Sequence, residues 1–321
     1  MSQPAEPAVA TLGGSGPGQV ARRHWLAMRP AFLTASLMPV IVGTAWGQAA
    51  GGHFEALPAL LALAATALVH AGANVINDVG DELGGSDRAN TERIFPYTGG
   101  SRFIQNGVMS LSQMRRFGVA LVAMAMLLGA VLAWLEGPTV VALGVTGIVL
   151  GIAYSLPPLK LASRGVGEFT IALGFGVLPV MGASWLQTGV FDLPALLVSV
   201  PTAMWVTAIL LINEVPDLRA DALAGKRTLP VRFGIGGTRV IYLALHGVAL
   251  AAVVAMVLRG QLHSVAVALP VLLFGLGGAA ARGIGPATGP ARDALRGSIE
   301  KTLGIHAIGS LWLATWAWFA A

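Results

Sequence analysis

Apolar residues run in long stretches from Ala31 to the C-terminus, broken at intervals by short polar segments. Nine stretches of membrane length stand out, at about 31–50, 57–79, 114–135, 138–156, 166–188, 193–214, 239–259, 263–282 and 298–320. A helix of that length crosses roughly 30 Å of hydrocarbon. Lipid offers no partner to open backbone groups, so such spans must be helical. The alternating segments of about ten residues that build a membrane barrel do not occur. The pattern predicts an all-α, polytopic membrane protein with about nine transmembrane helices. Residues 1–21, rich in Gly, Pro and Ala, are expected to form a disordered tail rather than a cleaved signal peptide, because no basic start precedes an apolar core. Residues 22–321 then form a single membrane domain, opened by an interfacial segment from Arg22 to Pro30 that carries Trp25.

Composition agrees: 55% of the 321 residues are hydrophobic and only 11% charged, well outside the soluble norm. The net charge of +5 raises the question of a nucleic-acid partner, which the placement of the cations answers. Numbering the spans in order, every Lys and Arg except Arg259 falls in segments on one side of the predicted bundle. That is a strong positive-inside signal, which puts those segments in the cytoplasm and excludes a nucleic-acid reading. With no cysteine, disulfides and thiolate metal sites are excluded.

Polar residues at two span ends change the picture further. Asn74, Asn77, Asp78 and Asp81, with His70, fall within an arc of about 100° on the second span. Asn213, Asp217 and Asp221 are spaced i, i+4, i+8 and are expected to continue the sixth span as one stripe, with Glu214 beside it. Both groups end on the cytoplasmic side. Like charges at this spacing repel unless a cation or protons intervene. Solvated helix-end carboxylates are the plain alternative for any one of them, but not for two matched groups at one membrane face. Carboxylate and amide oxygens without His or Cys suit a hard cation such as Mg²⁺, which completes its shell with water and substrate phosphate. The nearby Arg88, Arg93, Arg102, Lys160, Arg164, Lys226, Arg227 and Arg232 suit phosphate oxygens. The ligand implied has a phosphate head and an apolar tail, as a lipid diphosphate does.

These motifs resemble those of the UbiA superfamily of intramembrane prenyltransferases. Asn74-Val-Ile-Asn77-Asp78-Val-Gly-Asp81, followed by Arg93, is similar to the first aspartate-rich motif. Asn213-Glu-Val-Pro-Asp217-Leu-Arg-Ala-Asp221, running on through Lys226 and Arg232, is similar to the second. Tyr154-Ser-Leu-Pro-Pro-Leu-Lys160, then Arg164, is similar to the connecting tyrosine/lysine motif. The resemblance implies helices enclosing a central cavity, with Asp78, Asp81, Asp217 and Asp221 binding two Mg²⁺ ions bridged by a prenyl diphosphate. It also implies that Asn74, Asn77 and Asn213 support that site, and that Arg93, Arg102, Lys160, Arg164, Lys226 and Arg232 hold the diphosphate. Tyr154 would orient or deprotonate an aromatic acceptor, although an interfacial anchor is an equal reading for a tyrosine there.

Asp87 in place of an acid at Gly85, together with the opening Arg29-Pro30 and Pro39-Val-Ile-Val-Gly-Thr44, resembles the menaquinone branch. That branch prenylates 1,4-dihydroxy-2-naphthoate with loss of its carboxylate, in the bacterial cytoplasmic membrane. Ala31, and the Tyr154–Lys160 segment, look more like relatives acting on homogentisate or tetrapyrroles, so another aromatic acceptor, 4-hydroxybenzoate included, stays open. A cation-coupled transporter is the rival from another class; it calls for acids at the bilayer midplane on broken helices. His70 and His306 are expected as buried packing residues, Glu168 as a favourable acid at a helix N-terminus, and Trp312, Trp316 and Trp318 as lipid-facing aromatics.

Overall fold

The computed structural model describes residues 6–84, 92–155 and 158–319. These contain helices, turns and loops, and among them no strand. Two short helices come first, α1 (Val9–Leu12) and α2 (Pro17–Ala27). The long helices follow: α3 (Pro30–Gly51), α4 (Ala56–Gly84), α5 (Leu111–Glu136), α6 (Pro138–Ser155), α7 (Gly167–Thr188) and α8 (Leu193–Asn213). After the short α9 (Leu218–Leu223) come α10 (Leu229–Leu258), α11 (Ala268–Gly283) and α12 (Ala291–Phe319). Eight of these helices are long and apolar enough to cross a membrane. The ninth expected span is α12, which is long enough at 29 residues. Its apolar run is diluted by His306, Ser310 and three tryptophans.

Local chemistry sets the ends. Ser110 caps α5 in a reciprocal capping box with Gln113, Asp192 caps α8 through the Ala195 N–H at 2.7 Å, and Pro stands in the first turn of α3, α8 and α10. Helix α8 is the most buried membrane-length helix and packs against α3, α7, α10 and α12. The outer surface is apolar: Val141, Val145, Ile148 and Ile152 all point out of α6. In lipid such a face carries no penalty, because acyl tails are as apolar as the side chains. What binds helices here is close approach. A Cβ on Gly43 of α3 would lie 2.2 Å from the Val180 carbonyl oxygen of α7, and one on Gly47 would lie 2.6 Å from that of Ser184.

The described part of the N-terminal segment differs from expectation. Residues 6–27 place α1 and α2 across the loop that precedes α5. Leu12 is 4% exposed and shares an apolar cluster with Ala27, Leu33, Phe103, Met109 and Met114. Burying one leucine contributes roughly 2 kcal/mol. Glu6 adds an ion pair with Arg93 at 2.7 Å, and the Asn106 amide donates to the Pro7 carbonyl at 2.8 Å. Gly/Pro/Ala composition concealed the anchoring because a few side chains, Glu6 and Leu12 foremost, supply it.

Candidate active site at the polar end of the bundle

Helices α4 and α8 are the second and sixth membrane-length helices, so their C-terminal ends lie at the same end of the bundle. Helix α4 continues unbroken to Gly84 and carries Asn74, Asn77, Asp78 and Asp81 on one rod. Asp78 is 3% exposed, and both its oxygens accept from the Ser101 backbone N–H at 3.2 Å. Asp81 is half-buried and Asn77 exposed. The Asn74 amide donates to the Met28 carbonyl at 3.1 Å, tying α4 to the junction between α2 and α3.

The second motif is not the continuous stripe its spacing suggests. Helix α8 stops at Asn213 and the chain resumes as α9 at Leu218. Pro216 lacks the N–H a helix needs there, and the turn tightens into short-range bonds such as Asp217 N–H to Glu214 O at 3.2 Å. Asp217 ends up at the start of α9. Asp221 is buried and accepts from the Lys226 ammonium at 2.7 Å. Burial works to lower the Lys226 pKa, but Asp221, Asp81 and Asp217 together overcome it and raise the value. One ammonium is therefore bonded to Asp221 and within electrostatic range of acids from both motifs.

The expected cations divide. Lys226 faces the acids. Arg93 is engaged by Glu6, and its carbonyl accepts from Arg292 at 2.7 Å. Arg102 is buried in a left-handed backbone conformation (φ 65°) beside Ser101. Arg164 donates to the Pro158 carbonyl at 2.7 Å, and Arg232 donates to the carbonyls of Arg227 and Arg164. These two brace the loops on which Lys160 stands exposed, also left-handed (φ 43°). Gly85, Asp87 and Arg88 lie outside the described residues.

Several groups at this end were not expected as site residues. Arg29, left-handed at φ 55°, lies within electrostatic range of Asp78 and His70 and donates to the Tyr97 carbonyl at 3.1 Å. Burial and the nearby Glu300 push the Tyr97 phenol up. Glu168 of α7 is 7% exposed and its carboxyl bonds that of Glu214. Burial, then the charge of Glu168, holds Glu214 well above the usual carboxylate range. Tyr154, partly buried, lies within electrostatic range of this pair and of Asp221. The histidines are occupied structurally: His70 Nδ1 bonds Ser36 Oγ at 2.8 Å and meets Phe175 edge-on, and His306 Nε2 reaches the Thr34 carbonyl at 3.2 Å. Trp318 is partly exposed against Phe54, while Trp312 and Trp316 pack on an internal apolar cluster. An apolar cavity of about 330 Å³, lined by Ile41, Ala45, Leu60, Leu63 and Trp318, sits at the other end of the bundle from the acids.

Together these features define an integral membrane protein, all helical, with two acidic motifs converging at one polar end. Residues 36–298 match the UbiA prenyltransferase family, and the chain belongs to that family. It is similar to the 1,4-dihydroxy-2-naphthoate octaprenyltransferase of Escherichia coli, 34% identical over 226 residues that cover 67% of this chain and 70% of the relative. The enzyme of the same name from Haemophilus influenzae is 32% identical over 260 residues, covering 77% and 82% respectively. Among solved structures, a UbiA homologue from Aeropyrum pernix K1 superposes with a TM-score of 0.64 at 17% identity, over 88% of this chain and 95% of that one. A homologue from Archaeoglobus fulgidus, bound to DMAPP and Mg²⁺, gives 0.62 at 17% identity, over 89% and 99%. The resemblance read from the motifs is thereby borne out for family and fold.

Proposed function

We propose that the protein transfers a polyprenyl group from a prenyl diphosphate to 1,4-dihydroxy-2-naphthoate, with loss of the acceptor carboxylate as CO₂, at the cytoplasmic face of the membrane. The observation that carries this is that Lys226 bonds Asp221 at 2.7 Å and lies within electrostatic range of Asp81 and Asp217, acids of both motifs. The names of the similar enzymes favour the naphthoate acceptor.

Mg²⁺ fits the donor set. Among the described residues no three His, Cys, Asp or Glu side chains gather to hold an ion alone. Each motif instead offers two carboxylates, Asp78 with Asp81 and Asp217 with Asp221. Mg²⁺ takes one or two carboxylates and fills its octahedron with water and phosphate. Asp78 with Asp81, and Asp217 with Asp221, would hold two ions on either side of the substrate. When bound, these ions supply positive charge to the departing diphosphate.

The chain's own residues do the rest. Lys226 adds a cation where charge develops on the leaving group. The Ser101 N–H holds Asp78 in place. The allylic C–O bond ionises, and the electron-rich ring captures the cation. The segment 94–103, which meets Asp78 through the Ser101 N–H, is buried at Ile94, Thr98, Ser101, Arg102 and Phe103, and such cover keeps water from intercepting that cation. The test supplies purified protein with one prenyl diphosphate, Mg²⁺ and a panel of hydroxyarenes. The expected product is a prenylated 1,4-dihydroxynaphthalene that has lost CO₂. Preference for 4-hydroxybenzoate or homogentisate would move the acceptor assignment, and no transfer to any arene would end the reading.

A further inference from the structure

A second polar group adjoins the aspartates, and the reaction as described leaves it without a task. Glu168 opens α7 and Glu214 follows the last residue of α8, so the two come from different helices. Their carboxyls bond one another, yet each keeps one buried oxygen without a partner, Oε1 on Glu168 and Oε2 on Glu214. Glu168 is more than nine-tenths buried. The neighbouring Asn213 keeps its own Oδ1 buried and unpartnered. A buried oxygen without a donor is destabilising, and the Glu168–Glu214 pair keeps two of them, with a third on Asn213 next along the chain.

The chemistry of the missing donor follows from what is present. All three open atoms are acceptors, so a diphosphate, which has only acceptors and negative charge, is repelled. The ammonium nearest this end, Lys226, already bonds Asp221. The Tyr154 ring borders the pair and comes within contact distance of the Gly167 backbone, where a Cβ would lie 3.4 Å from its Cε2. Unpartnered acceptors near an aromatic ring suit a flat arene that carries hydroxyl donors. The group also lies within electrostatic range of Asp221, one of the acids proposed to hold the diphosphate's metal.

We infer that Glu168, Glu214 and Asn213 form the acceptor subsite, reading the hydroxyl groups of a dihydroxyarene and seating its ring against Tyr154. This rests on the prenyltransferase reading for its reaction, but not for its binding. A hydroxyl bonded to a buried carboxylate contributes about 1.5–3 kcal/mol, or roughly ten- to a hundredfold in affinity.

The experiment uses full-length protein in nanodiscs with 1,4-dihydroxy-2-naphthoate and its mono-O-methyl ethers as probes. Equilibrium binding of each arene is measured alongside turnover, for wild type, Glu168→Ala and the near-isosteric Glu168→Gln. The expected result is at least tenfold weaker binding of the dihydroxyarene to Glu168→Ala, with a matching rise in acceptor KM. The KM for prenyl diphosphate and the Mg²⁺ concentration for half-maximal rate should not change. One methyl ether should bind wild type and variant alike, since it lacks the donor that Glu168 reads. Glu168→Gln guards against a folding defect: it should melt like wild type yet still discriminate less between the diol and that ether. Unchanged arene binding in both variants would overturn the inference, as would a shifted Mg²⁺ requirement, which would make the pair a metal site. If wild type binds the diol and turns nothing over, the reaction reading fails and the subsite stands. If it turns over and the variants bind normally, the subsite fails alone; if wild type neither binds nor reacts, both fail.

Discussion

Single residues at the polar end act through charges brought together from distant parts of the chain. Asp78→Asn and Asp217→Asn each remove one negative charge without changing shape. Either should lower Mg²⁺-dependent transfer by about 100-fold or more while leaving the melting profile in detergent intact; full activity in either would remove the metal assignment. Glu6 gives a pH signature of another kind. Burial works to raise its pKa, but hydrogen bonds from Arg93 and Asn106 and the Arg93 charge win, so the folded value lies below the usual 4.5. A depressed carboxylate stabilises fully above its unfolded pKa and loses that contribution as pH falls through the folded one. Hydrogen-exchange protection in residues 92–109, taken relative to the intrinsic rate at each pH, should therefore fall below about pH 4.5, and Glu6→Gln should be less protected throughout. The aspartates themselves were legible in the sequence because repeated acids at a membrane face are electrostatically costly. Arg29, Ser101 and Glu6 were not, because their roles depend on partners far along the chain and, for Arg29, on a left-handed backbone that no spacing announces. Glu168 looked like a plain N-terminal acid because its partner Glu214 sits on another helix.

Hydrophobic runs of membrane length admit one local structure, so the helices were readable to within a few residues for most spans. Where the elements differ from expectation, one residue or two decide it. Pro216 breaks the acidic stripe after Asn213, and Leu12 with Glu6 pins a tail whose composition suggested disorder. Packing between elements was beyond reach of periodicity, since a glycine in a membrane helix does not declare which neighbour it admits. Gly43→Leu should separate α3 from α7, because even its Cβ would meet the Val180 carbonyl at 2.2 Å. Overpacking of this sort costs about 3 kcal/mol or more, read as a large fall in melting temperature and loss of monodisperse protein. Gly129→Ala on α5, where a Cβ meets nothing within 4 Å, should stay within about 1 kcal/mol of wild type.

At the level of the whole molecule, one asymmetry joins fold to function: the end that gathers the aspartates also gathers nearly all the cations. Under the proposed function both needs would be served at once, since Lys and Arg would hold that end in the cytoplasm while one of them, Lys226, faces the acids. An anionic diphosphate head would then meet the site from the cytoplasm, while its tail enters the apolar bundle. The orientation follows from charge sorting and can be checked directly, because the chain has no cysteine and any thiol introduced is unique. Ala224 is exposed between α9 and α10, at the acidic end, and Ser264 is exposed at the start of the turn into α11, across the single span α10. Ala224→Cys should react with a membrane-impermeant maleimide in inverted vesicles but not in intact cells, and Ser264→Cys should show the reverse. Exchanged patterns would turn the active site outward. Labelling of both from one side would mean that α10 does not cross, which would undo the alternation on which the placement of both acidic motifs depends.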